Sequence, residues 1–459
     1  MSEENKNQEE LLRKREARRK RRQRNQIMAY SAVLALILLL AGGTLFVINS
    51  LSKAPKEPND GKNVAQSTPT QSEESTEVSE PDTEEFSSEP EEISSEPEET
   101  EPPVVELTYE EKLDQIVNAA IEVMPIEDKV AGLFMLTPEG LTGVKQVTKA
   151  GDSTKEALSK YAVGGLLYRT QNIKNKDSFK TMLENTILFS KYPVFLSVEE
   201  ETGDANQIFK KGIGTKTDSA KALAATGDPQ KAFEAGTAIG TYLKELGITM
   251  DLAPVADLTS VEKSVVENRS FGSDLDVAYA FTTSVMAGLK EQGITPCVKH
   301  FPGLGSVKTD TDKGVVVSER TEEEFWANEI LLYQRLINDG GANVIMVSNM
   351  AAPSLAGDNT PCSLSEQVVT GILRQKLEYR GLIITDALDE KAVSEYYSSE
   401  QAAIMALKAG CDMIMCPENF EEAYNGVLKA VQDGTISEER INDALRRIYR
   451  IKCADRVER

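Results

Sequence analysis

Between residues 107 and 459 the chain repeats one pattern eight times: a short apolar run bounded by turn residues, then a stretch long enough for a helix. The runs are Val130–Leu136, Val163–Tyr168, Val194–Val198, Thr249–Val255, Pro296–Val298, Val344–Ser348, Leu382–Thr385 and Asp412–Met415. Short continuous apolar runs between turn signals read as strands buried on both faces. The intervening Ala220–Leu246, Val277–Gln292 and Glu322–Asn338 carry apolar positions at helical spacing. The chain closes with Phe420–Val431, a Gly434 stop and an amphipathic Ser437–Lys452 helix. Strands separated by helices pair in parallel, because parallel neighbours need a long crossover. Eight such units over about 350 residues predict an α/β fold of the (β/α)8 TIM-barrel type with long loops. A doubly wound open sheet is the rival. It calls for a glycine-rich phosphate turn after the first strand, where the sequence reads LTPEGLTG (Leu136–Gly143) and does not fit.

Ahead of this domain the charge is sharply divided. Residues 1–26 form a basic tail, mostly RKREARRKRRQR (Arg13–Arg24). Residues 27–51, IMAYSAVLALILLLAGGTLFVINSL, carry no charge. At about 1.5 Å per residue this stretch exceeds a hydrocarbon core of about 30 Å. It is longer than a signal-peptide apolar region and lacks both an A-x-A cleavage site and a lipoprotein cysteine. It reads as a single-pass signal anchor, and the basic flank keeps the N-terminus cytoplasmic, with the rest of the chain outside the cell membrane. Residues 52–106 are a Ser, Pro and Glu-rich acidic linker with almost nothing to bury, predicted to be disordered.

Composition narrows the chemistry. Acidic residues outnumber basic ones 74 to 51, for a net charge of -23, which argues against a nucleic-acid partner. The chain has one histidine, His300, and five cysteines without a CxxC pair. That excludes imidazole-pair zinc sites and zinc ribbons, and no metal or cofactor is expected. A Ser-His-Asp hydrolase lacks its GxSxG elbow.

In a β/α barrel chemistry sits on the loops after the strands. The polar residues there are Glu199, Glu200, Glu201, Asp257, Lys299, His300, Asn349, Asp386 and Asp389. Asp386 directly follows the apolar run ending at Thr385, where it is either a helix cap or a catalytic group. Lys299 and His300 put two donors at one strand end, which suits a ligand rich in hydroxyls. The loop beyond them brings Asp310 and Asp312 close in sequence.

Together four segments resemble glycoside hydrolase family 3, in its β-N-acetylglucosaminidase branch. They are KHFPGLGSVKTDTD (Lys299–Asp312), ENRSFGSD (Glu267–Asp274), MDLAPVADL (Met250–Leu258) and RGLIITDAL (Arg380–Leu388). The tail from Ala402 through Lys452 is similar as well. The resemblance implies retaining hydrolysis of terminal β-N-acetylglucosaminides, such as those of cell-wall glycans, with carbohydrate as the partner. It places Asp386 as the nucleophile that attacks the anomeric carbon. It implies that Lys299, His300 and Arg269 hydrogen-bond the sugar, and that Glu199, in VEEETGD, stands where the family has an aspartate. Asp204 falls where that run normally continues to an arginine.

One departure concerns the proton donor. The branch carries PGHG followed by a D-S-H triplet whose histidine, oriented by the aspartate, protonates the leaving oxygen. Here Leu304 replaces the first histidine and the triplet reads Asp310–Thr311–Asp312. Two outcomes stay open. Asp312 takes over as acid/base, which requires burial or the adjoining charge of Asp310 to hold its proton. Otherwise the protein is a catalytically impaired binder of sugar or peptidoglycan.

Overall fold

The structure is a computed structural model that describes residues 107–339 and 341–457. The basic tail, the expected anchor at 27–51 and the expected linker at 52–106 lie outside those residues. Among the described residues no helix is long and apolar enough to cross a membrane.

Nine parallel segments form a nearly closed barrel. They are β1 (Phe134–Leu136), β2 (Gly165–Leu167), β3 (Phe195–Val198), β4 (Met250–Asp251), β5 (Thr295–Pro296), β6 (Val298–Phe301), β7 (Val344–Val347), β8 (Leu382–Ala387) and β9 (Met413–Met415). Their spatial order is β5-β4-β3-β2-β1-β9-β8-β7-β6. The two terminal members, β5 and β6, are separated in sequence by Cys297 alone. Counted as one interrupted strand they leave eight, consistent with the expected (β/α)8 barrel. Pro296 has no N–H to give, and the Cys297 amide bonds both Asp251 O and Ala253 O. The ladder therefore slips at this point, and one strand becomes two.

Nearly every strand residue is buried, as a sheet covered by helices outside and side chains inside requires. The first apolar run is longer than its strand. Val130 and Ala131 finish the helix Ile126–Ala131, which carries Glu127 and Asp128 in its first turn, and the chain turns at Gly132 before β1. The expected helix 220–246 is cut into Ala220–Ala224 and Pro229–Leu246, because Gly227 turns with positive φ ahead of Pro229. The second of these packs on Leu275–Glu291 so closely that a Cβ on Gly236 would lie 2.4 Å from Val285 O. The expected helix 322–338 breaks at Asn328. All five cysteines are buried and unpaired.

Opposite charges gather at the start of β9. Buried Asp412 receives Arg374, Arg447 Nη1 at 3.1 Å and Arg440 Nη1 at 3.6 Å. The charges at the opposite strand ends are arranged differently.

Candidate active site

Because all strands run the same way, their C-terminal ends gather on one face. β3 delivers Glu199, Glu200 and Glu201, β6 carries Lys299 and His300, and β8 carries Asp386 near its end. Lys299 is completely buried, with Nζ 2.8 Å from Glu199 Oε1 and 2.9 Å from Glu201 Oε1. Arg269 closes the network by donating Nε and Nη2 to the two oxygens of Glu201, each at 2.7 Å. Burial alone would raise Glu201, but Lys299 and Arg269 outweigh it and hold the carboxyl far below its ordinary range. Glu199 is lowered by the same contest between burial and Lys299. Its side chain is 30% exposed, and Oε2 accepts no protein hydrogen bond among the described residues. An ammonium has three donors, so Lys299 has one left for a ligand beside that oxygen.

His300 is fixed from below. Its Nδ1 lies 2.7 Å from Asp257 Oδ2. The other Asp257 oxygen accepts from His300 N at 3.2 Å and Leu304 N at 2.7 Å. With Nδ1 given to Asp257, Nε2 is the nitrogen available to a ligand. The turn bearing Leu304 presses against the preceding loop, and a Cβ on Gly305 would fall 1.9 Å from Leu258 O.

Asp386 is 8% exposed. Its Oδ1 accepts from the Ala387 amide at 2.9 Å, and Oδ2 has no protein donor among the described residues. Burial raises its pKa, and the opposing charges of His300 and Lys299 only partly offset this. Asp386 thus retains one unengaged carboxylate oxygen beside fixed donors. It does not cap the helix Lys391–Ser394, whose N-cap residue is Glu390.

Other strand-end residues divide by role. Glu200 accepts from Ile208 N, Phe209 N and Tyr242 Oη, so it ties down the loop after β3. Asn349 donates Nδ2 to Ala387 O at 2.7 Å and to Glu390 Oε2 at 2.8 Å, while Ser363 Oγ donates to its Oδ1 at 2.6 Å. Asp204 and Asp389 are exposed. Asp310 is half-buried and accepts from Thr311 Oγ1 at 3.4 Å. Asp312 is exposed on the turn Thr311–Lys313. The burial invoked for Asp312 is therefore missing, because only its neighbour Thr311 turns inward. A recess of about 580 Å³ lined by Tyr396, Tyr397, Glu418 and Asn419, among others, lies on the loops after β8 and β9 and contains none of these charges.

The residue pattern had not assigned a role to Glu201, Asp257, Asn349 or Glu390. The first three were visible only as polar strand ends. Glu390 sits in an Asp-Glu-Lys run that reads as a solvated helix start. Burial pushes it up to about 9, with the charge of Asp386 adding to the effect.

A parallel barrel with a carboxylate-rich, donor-lined mouth is built to hold a small polar ligand. The chain belongs to glycosyl hydrolase family 3, whose N terminal domain pattern matches residues 108–451. It is 27% identical over 302 residues to a beta-N-acetylglucosaminidase/beta-glucosidase from Cellulomonas fimi, covering 64% of this chain and 52% of that protein. It is 30% identical over 287 residues to a beta-hexosaminidase from Haemophilus influenzae, covering 62% and 79%. A solved family 3 β-N-acetylglucosaminidase from Paenibacillus sp. str. FPU-7 matches with a TM-score of 0.67 at 26% identity, covering 72% of this chain and 64% of that one. The chain spans about half the length of the Cellulomonas protein.

Proposed function

We propose that this protein is a retaining glycoside hydrolase that removes terminal β-N-acetylglucosamine from cell-wall glycans. In this reading Ile27–Leu51 anchors it to the cell membrane with the barrel outside. One observation carries the catalytic part: Asp386 is a nearly buried carboxylate with an oxygen uncommitted to the protein, acted on by the charges of His300 and Lys299. Such a group attacks the anomeric carbon and forms a glycosyl ester that water then opens. Lys299, Glu199, Arg269 and His300 orient the sugar, and a hydroxyl-rich ring suits their mixture of donors and acceptors. The substrate class is supported by the N-acetylglucosaminidase and hexosaminidase relatives.

A second reading, a sugar binder with impaired turnover, is favoured by Leu304 and by the exposure of Asp312. The full 459-residue chain and its Asp386→Ala variant, assayed on an aryl N-acetyl-β-glucosaminide, separate the two. The hydrolase predicts release by wild type, retention of anomeric configuration by NMR, and loss of activity in the variant. Equal rates for the two chains rule it out. Glycan binding without release by either chain selects the binder.

A further inference from the structure

The resemblance leaves the family's proton-donating histidine without a counterpart, and Asp312 is exposed. The structure offers another carboxyl. After β8 the chain turns tightly, with Glu390 N bonded to Ala387 O at 3.3 Å. The turn folds Glu390 back toward the strand end that carries Asp386. Asn349 then fixes the side chain, because its one amide nitrogen bridges Ala387 O and Glu390 Oε2. Ser363 holds that amide in orientation from the other side. The turn Thr311–Lys313 packs against the helix Lys391–Ser394 that directly follows Glu390, so the buried member of the Asp310–Asp312 triplet, Thr311, lies on a segment beside it. Glu390 is half-buried, so its carboxyl is not sealed inside the protein.

We propose that Glu390 is the general acid/base that works with Asp386, an inference that rests on Asp386 being the nucleophile. In the first step an Asp386 oxygen bonds to the anomeric carbon, the bond to the leaving oxygen breaks, and the Glu390 proton passes to that oxygen. In the second step a water oxygen bonds to the same carbon, its proton passes to the Glu390 carboxylate, and the bond to Asp386 breaks.

The electrostatics follow the same cycle. Burial acts most strongly on Glu390, and the negative charges of Asp386 and, more weakly, Asp312 add to it. While Asp386 is ionised the proton stays on Glu390. Once Asp386 is esterified its charge is gone, and Glu390 can release the proton and serve as a base. Burial and the Asp386 charge thus supply what an imidazole supplies elsewhere.

The test uses the full chain with Glu390→Gln, Glu390→Ala, Asp312→Ala and Asp386→Ala on two N-acetyl-β-glucosaminides. One has a methylumbelliferyl leaving group that needs a proton, and the other a dinitrophenyl group that does not. Glu390→Gln is expected to lose about 10²–10⁴-fold on the first substrate and to show a burst of dinitrophenolate on the second. It also loses the alkaline limb of the pH profile. Azide restores turnover of Glu390→Ala and yields the β-glycosyl azide. A merely structural role produces neither the leaving-group dependence nor the azide product. Wild-type-like rates for both Glu390 variants, or azide rescue in Asp312→Ala instead, overturn the proposal while leaving Asp386 in place. A wild-type chain that releases no dinitrophenolate removes the nucleophile reading, and this one with it.

Discussion

Glu329 opens the helix Glu329–Asn338 and packs beneath Gly303, where an added Cβ would meet Glu329 Cγ at 2.5 Å. It is buried, and neither carboxylate oxygen accepts a hydrogen bond among the described residues. Its nearest charge is Arg320 Nη2, 3.2 Å from Oε2. Burial lifts the carboxyl from its ordinary 4.5 to about 7, with Arg320 opposing and Asp257 and Glu324 assisting. The folded-state pKa is raised, so the folded protein holds this proton longer than the unfolded chain. The associated stability is complete at low pH and is lost as pH climbs through the folded value. Each pKa step is worth about 1.4 kcal/mol. The rise from 4.5 to about 7 therefore costs the folded state about 3 kcal/mol once both states are ionised. Glu329→Gln removes the titration and keeps the shape. Urea unfolding of variant and wild type at about pH 5 and about pH 8 reads the effect, since the variant's relative stability should increase by about 2.5 kcal/mol over that range. A stability difference that does not change with pH refutes the reasoning.

Two further outcomes follow from the mouth of the barrel. Lys299→Ala leaves Glu199 and Glu201 facing each other without their buried cation and is expected to destabilise the fold by about 3–5 kcal/mol in urea unfolding; a loss typical of a surface ion pair, under about 1 kcal/mol, contradicts it. Asp386 must be ionised to attack and is raised by burial, so kcat/KM should fall off on the acid side above the ordinary aspartate value of about 3.9; a limb at or below that value contradicts the burial assigned here.

Strand positions were legible because a parallel barrel buries both faces of each strand and so writes short, continuous apolar runs. The same continuity hides where a helix ends. Val130 and Ala131 join smoothly to Leu133 and Phe134, and nothing in their hydropathy marks the turn at Gly132. The slip at Cys297 was invisible for another reason: it depends on which carbonyls of the neighbouring strand lie opposite an amide. The site shows the same division. Glu199, Lys299, His300 and Asp386 stand out as charges at the ends of apolar runs. The pairing of Arg269 with Glu201 spans 68 positions, and sequence spacing alone does not specify such a contact. Glu390 was missed because the residue that fixes its carboxyl, Asn349, comes from the loop after β7, a contact that local sequence does not specify.

The chemical role of Asp386 can be observed directly. The full chain is incubated with a ring-fluorinated N-acetylglucosaminyl donor carrying a dinitrophenyl leaving group, then digested and sequenced by mass spectrometry. A covalent glycosyl adduct on the Asp386 carboxyl is the predicted result. An adduct on any other side chain, or continued turnover with inverted product and no adduct, contradicts the account.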